Sequence, residues 1–109
     1  MANTFKLKTK ENVGVTTVGI YTAPAATTTV VIGITLANTS WSGVNVGVGV
    51  TRAGTTEDVK LLKNAPIPSG SSLEFMAGNK VVLEATDTVT VDSDTNNSVD
   101  AALTIMEIT

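Results

Sequence analysis

The chain contains no cysteine and no histidine. The first absence excludes a disulfide framework and thiol chemistry; the second removes the commonest metal ligand and general base. Aromatic residues are few: Phe5, Tyr21, Trp41 and Phe75. Charge is missing over a long stretch, with no Asp, Glu, Lys or Arg from Asn12 to Thr51. A solvated monomer spreads charge over its surface to stay soluble and to blunt exposed sheet edges. A segment without it either lies deep in its own fold or sits against other protein. No apolar run approaches membrane-spanning length, and the N-terminal Met-Ala-Asn-Thr-Phe-Lys-Leu-Lys lacks the apolar core of a signal peptide. The expectation is a soluble protein made in a cytoplasm and kept or assembled there, with no membrane partner. The net charge of -3 argues against a nucleic-acid partner, which would call for a basic patch and stacking aromatics.

What is present points one way. Roughly a third of the residues are Val or Thr, β-branched types that suit a pleated, half-buried surface and resist helix. Glu and Leu are scarce and Gln is absent. The 109 residues make one domain, 1–109, of a size that buries roughly two-thirds of its unfolded surface without staples.

Phe5, Leu7 and Thr9 alternate with Lys6, Lys8 and Lys10, predicting a first strand with one basic face. Asn12-Val13-Gly14 reads as a turn, Val15 to Thr22 as a strand, and Ala23-Pro24-Ala25-Ala26 as its break. Thr28 to Asn38 is the strongest strand. Val30, Ile32, Ile34 and Leu36 fall on one face and Val31, Gly33, Thr35 and Ala37 on the other, as expected for a central strand buried on both sides. Val44, Val46, Val48 and Val50 then alternate with Asn45, Gly47, Gly49 and Thr51. Asp58 to Lys63 is a further strand, and Pro66 to Ser71 a stiff connection. Ser72 to Met76 and Lys80 to Glu84 flank Ala77-Gly78-Asn79, a hairpin signal. Thr88 to Val91 and Val99 to Ile108 complete about eight or nine strands. This is the pattern of an all-β, single-domain antiparallel β-sandwich, either jelly-roll-like or immunoglobulin-like.

No motif carries chemistry. Without His or Cys, neither a Ser-His-Asp nor a Cys-His arrangement exists, and the acidic residues fall mostly on loops and solvent faces, so an enzyme is disfavoured. Asp92-Ser93-Asp94-Thr95-Asn96 begins like a calcium loop. Asn97 stands where that loop needs Gly, and Leu103 where it needs a bidentate Glu, so a solvated hairpin loop is the better reading. Gly47-Val48-Gly49 lies within a strand and opens no helix, unlike a dinucleotide fingerprint. Glycines on one strand face instead admit another backbone or side chain, from this chain or a neighbour. Asn38-Thr39-Ser40 and Asn96-Asn97-Ser98 match the glycosylation pattern by chance in a Ser/Thr-rich chain. No metal and no cofactor is expected.

The candidate interface residues are therefore Trp41, Val44, Asn45, Val46, Gly47, Val48, Gly49 and Val50, with Lys6, Lys8 and Lys10 on the basic face. Trp41 either lids one end of the sandwich or anchors a partner, since tryptophan is enriched at interface hot spots; its Ser, Thr and Gly neighbours favour the anchor. Beyond Lys80 every charge is acidic: Glu84, Asp87, Asp92, Asp94, Asp100 and Glu107. The basic first strand either neighbours the acidic last one within one fold or reaches the acidic edge of an adjacent copy.

One resemblance spans nearly the whole chain. It rests on Val30-Val31-Ile32-Gly33-Ile34-Thr35-Leu36-Ala37-Asn38-Thr39-Ser40 before the valine strand, and on Lys63-Asn64-Ala65-Pro66-Ile67-Pro68-Ser69-Gly70-Ser71-Ser72-Leu73. It continues through Lys80-Val81-Val82-Leu83-Glu84-Ala85-Thr86-Asp87, then Ser98-Val99-Asp100-Ala101 and the closing Glu107-Ile108-Thr109. This order of segments resembles small all-β virion proteins of tailed bacteriophages. Thr86 departs from it, standing where that group tends to have Gly before Asp. The resemblance implies no catalytic residue. It implies a structural subunit of the virion, foremost a capsid decoration or cement protein, with a collar, connector or tail component as the alternative. The implied partners are copies of itself and other virion proteins, major capsid or neck and tail proteins, and the implied location is the virion. A second possibility is a carbohydrate-binding or adhesin-like sandwich in which Trp41 and Tyr21 form a small platform.

Overall fold

The computed structural model describes residues 3–55, 57–75 and 80–109. They form nine strands in two antiparallel sheets: β1 (Asn3–Val13), β2 (Val18–Thr22), β3 (Thr28–Asn38), β4 (Val44–Thr51), β5 (Asp58–Ile67), β6 (Ser72–Phe75), β7 (Val81–Leu83), β8 (Thr88–Ser93) and β9 (Val99–Ile108). Sheet A has the order β1-β9-β3-β6, with β7 also on β3, and sheet B the order β2-β8-β4-β5. First strand pairs with last, second with eighth, third with sixth and seventh, fourth with fifth. This nested pairing, rolled so that β3 also meets β9 and β4 meets β8, is a jelly roll. The immunoglobulin-like alternative is excluded by this strand order.

The core lies between the sheets. Val31, Ile34 and Leu36 of β3, the four valines of β4, Val89 and Val91 of β8, and Val99, Ala101, Leu103 and Ile105 of β9 are all buried there. β3 is central within its sheet but buried on one face only, contrary to the doubly buried expectation. Its strict alternation also fails. The pairing with β9 slips between Val31 and Gly33, a bulge at Ile32. Val31, Ile34 and Leu36 therefore point inward, while Val30, Gly33, Thr35 and Ala37 lie on the outer face.

Two other expectations change. β5 continues to Ile67, so Pro66 sits within a strand opposite Asn45; β5 is an edge, where a missing N–H is tolerated. β6 and β7 do not form a hairpin. Met76 and the turn Ala77-Gly78-Asn79 lie outside the described residues, but both strands run antiparallel to β3, β6 beside Ile34–Ala37 and β7 beside Thr29–Val31. They share one edge of sheet A in succession.

Candidate interaction surface

β4 is the first candidate, and the structure corrects the sequence reading of it. Val44, Val46, Val48 and Val50 are sealed in the core, so their side chains offer nothing to a neighbour. The glycine face is not bare either. A Cβ on Gly49 would lie 2.9 Å from the Val59 carbonyl oxygen and 3.2 Å from Thr90 Oγ1. On Gly47 it would lie 2.6 Å from Asp92 Oδ1 and 3.3 Å from the Leu62 carbonyl oxygen. β5 slips register twice along this stretch, and the glycines make room for its displaced carbonyls. The close partner is the chain's own backbone. Asn45 is exposed, but its N–H donates to Asp94 Oδ1 and its carbonyl accepts from the Asp94 N–H.

The lysines occupy an unexpected side. Lys6, Lys8 and Lys10 pair with Ile105, Leu103 and Ala101, all of which point to the core, so the basic face of β1 turns inward along the open margin of the sandwich. There the aliphatic stems cover the rim while the ammonium groups reach water, and inward charge on an edge strand discourages pairing with stray strands. Lys6 Nζ lies 2.8 Å from Glu107 Oε1. The first and last strands are thus neighbours within one fold, and among the described residues Lys8 and Lys10 form no ion pair.

Glu107 belongs to a buried network joining four strands. Tyr21 donates its phenolic hydrogen to Glu107 Oε2 at 2.7 Å and lies 2.8 Å from Thr29 Oγ1, which is left to act as donor. Burial, reinforced by the bond to Glu107, pushes the Tyr21 hydroxyl up to about 12. Lys6 and Tyr21, each holding a carboxylate oxygen, keep Glu107 below its ordinary value against the opposing effect of burial. A Tyr21–Trp41 platform is therefore excluded: Tyr21 is inside, near the start of β3, and Trp41 follows the far end of that strand.

Trp41 is fully exposed, 100% of its surface reaching solvent, so it lids nothing. Its loop is nevertheless fixed. Buried Asn38 donates through Nδ2 to the carbonyls of Ser42 at 2.8 Å and Ile67 at 2.9 Å, and its Oδ1 accepts from the Ser40 N–H at 2.9 Å. Ser69 Oγ donates to the Ser40 carbonyl at 2.8 Å. One buried amide therefore grips the loop on both sides of the tryptophan.

The Asp92–Asn96 side chains diverge. Asp92 Oδ2 accepts from Thr17 Oγ1, Asp94 Oδ1 from the Asn45 N–H, and Asn96 Oδ1 from the Val15 N–H. They tie the loop to two neighbouring segments, the β1–β2 connection and the start of β4, as a hairpin loop does.

The surface that sequence reasoning missed is the outer face of sheet A. The register sets Phe5 beside Met106, Met106 beside Val30 and Val30 beside Val82, one apolar row across four strands. The adjacent row is Leu7, Thr104 and Gly33. Phe5 is 69% exposed and Leu7 65%. The signal was the apolar half of the β1 alternation, Phe5 and Leu7, opposite the basic face.

No protein-family model and no curated protein matches the chain. Among solved structures it is similar to one described as "Bacillus endospore appendages form a novel family of disulfide-linked pili", with a TM-score of 0.60 and 15% identity, over 99% of this chain and 87% of that one. The likeness is one of fold. That assembly is described as disulfide-linked, whereas the present chain has no cysteine.

Proposed function

We propose that the chain is a non-enzymatic structural subunit that works in many copies, as a decoration or cement subunit of a tailed-phage virion. The observation that carries the reading is Trp41: a large apolar side chain, wholly in solvent, on a loop that a buried asparagine holds rigid. Rigid exposure of an aromatic costs solvation with no return inside the subunit, and it lowers the ordering cost of docking on another protein. The sequence resemblance supplies the virion, and the Ser/Thr-rich, uncharged surroundings of Trp41 suit the centre of a contact.

A second reading is a subunit of a surface appendage. It is favoured by the likeness to the pilus structure over nearly the whole chain. Without cysteine, copies of this chain in either setting are not joined by disulfides.

The test is electron microscopy of the purified protein, alone and mixed with capsids lacking it. Compact oligomers that bind such capsids, with binding weakened at least about 30-fold by Trp41→Ala (about 2 kcal/mol), support the virion reading. Filaments support the appendage. Single copies that neither assemble nor bind particles contradict both.

A further inference from the structure

Sheet A presents a face whose central rows hold no charge. The rows Asn3–Ile108–Thr28, Phe5–Met106–Val30–Val82 and Leu7–Thr104–Gly33 contain no ionisable side chain. The acids on this face, Glu74 beside Thr35, Asp100 beside Ala37 and Glu11 beside the same hollow as Asp100, lie toward one end. All three lysines of β1 point the other way. A charge-depleted apolar centre with polar residues at its margin is the anatomy of a contact.

The face also has relief. On the β1 side Phe5 and Leu7 stand out into solvent. On the β3 side there is a shallow depression lined by Ile32, Gly33, Thr35, Glu74, Ala102 and Thr104. No described atom lies within 4 Å of where a Gly33 Cβ would be. Protrusion and depression flank β9 at equal distance, one strand spacing to either side, and Leu7 and Gly33 share a row.

We infer that this face is a twofold contact between two copies of the chain, deepening the multi-copy reading on which it rests. An axis lying in the contact plane along β9 exchanges the β1 and β3 sides. It seats Leu7 of each copy in the depression over Gly33 of the other, sets Phe5 on Val30, and brings Met106 against Met106. Sheets pack face to face in this way, about 10 Å apart and about 30° from aligned. With the axis along β9, the strands that overlap are β1, β9 and β3. Three positions about 4.8 Å wide and about 33 Å long give roughly 480 Å² before corrugation. A standard interface takes about 800 Å² per partner, so this is a small contact of the weak, reversible kind.

The absence of cysteine provides a clean test. Leu7→Cys and Gly33→Cys variants are purified separately, mixed under reduction, freed of reductant and treated with a short bismaleimide. Facing positions of packed sheets lie about 10 Å apart, beyond the roughly 7 Å that a direct disulfide spans, so a short linker is needed. Each variant carries a single cysteine, so any bridge joins two copies. The expected product is the mixed Leu7→Cys/Gly33→Cys dimer, in at least about tenfold excess over either like-with-like dimer. Sedimentation of a Phe5→Glu/Leu7→Glu double variant should show self-association weakened at least about tenfold with an unchanged melting temperature. If the wild type assembles but the mixed cross-link does not form and the double variant assembles normally, this face is not the contact, and the multi-copy reading stands. If the wild type is a single copy throughout, that reading fails and this inference with it. Wild type that stays single and floats with neutral phosphatidylcholine vesicles through Phe5 and Leu7 overturns it in favour of a lipid surface.

Discussion

At Thr86 the backbone has φ 67°, a left-handed conformation that a β-branched residue adopts at a cost. The position is set from both sides. The Thr86 N–H donates to the Ala23 carbonyl and the Asp87 N–H to that of Glu84, closing a turn that wants glycine at its third residue. Thr86→Gly is expected to stabilise the protein by about 1 kcal/mol, read as a raised denaturant midpoint. Just beyond, Asp87 is buried beneath three donors. Burial raises its carboxyl, but the N–H groups of Ala53 and Glu84 and the charge of Arg52 outweigh it and hold Asp87 low. Arg52 Nε stands 3.1 Å from Asp87 Oδ2, an ion pair with the N–H off-line for a hydrogen bond.

The signs of these shifts give two pH limits. Asp87 and Glu107 bind protons less readily folded than unfolded. Their stabilisation is complete above ordinary carboxylate values near 4 and is lost as pH falls through the lower folded ones. The melting temperature should decline below about pH 5, and Glu107→Gln should flatten part of that decline. Tyr21 is the reverse case: its contribution is complete below about 10 and is lost as pH rises toward 12. As the only tyrosine, it is directly visible in the tyrosinate absorbance. A midpoint about two units above that of the unfolded chain is expected, and a midpoint near 10 would contradict the buried network.

At the scale of the element, β4 depends on its glycines for the approach of β5. Gly49→Ala forces a methyl group against the Val59 carbonyl, a backbone atom that moves only with its strand. Destabilisation of about 1–3 kcal/mol is expected, measurable by chemical denaturation; a neutral effect would mean that β5 is loosely held. The strands themselves were legible in the sequence, because alternation and β-branched content mark a strand wherever one face is buried. Facing was less legible. β1 alternates lysine with apolar residues, and reading charge as outward is sound for a central strand but fails at a sandwich margin, where long stems reach water from the inner side. β3 and β9 are apolar on both faces, so no pattern says which face meets the core, and the bulge at Ile32 shifts the register midway. The interruption between β6 and β7 looked like a hairpin because turn residues mark a break without saying whether the chain reverses.

For the whole molecule, the charge-free segment from Asn12 to Thr51 divides into parts with different explanations. β4 needs no charge because it lines the core or lies under its own neighbours, while β2, an edge strand, buries Tyr21 and packs Val18 and Ile20 partly against the core. β3 contributes an outer face that is apolar without being covered, and the loop after it holds Trp41 in solvent. Those two surfaces are what a lone subunit leaves unexplained; the Ser, Thr and Gly around Trp41 favoured its exposure, whereas the strand alternation did not reveal the open sheet face. The jelly roll supplies a stiff slab, 45 × 28 × 22 Å, on which both are displayed.

The central claim is that this subunit works in many copies. Sedimentation equilibrium of the wild-type protein, from micromolar to millimolar concentration at neutral pH, tests it most directly. The account predicts a mass that rises with concentration to multiples of 11.2 kDa. A mass of 11.2 kDa across the whole range, with the protein folded, would contradict it.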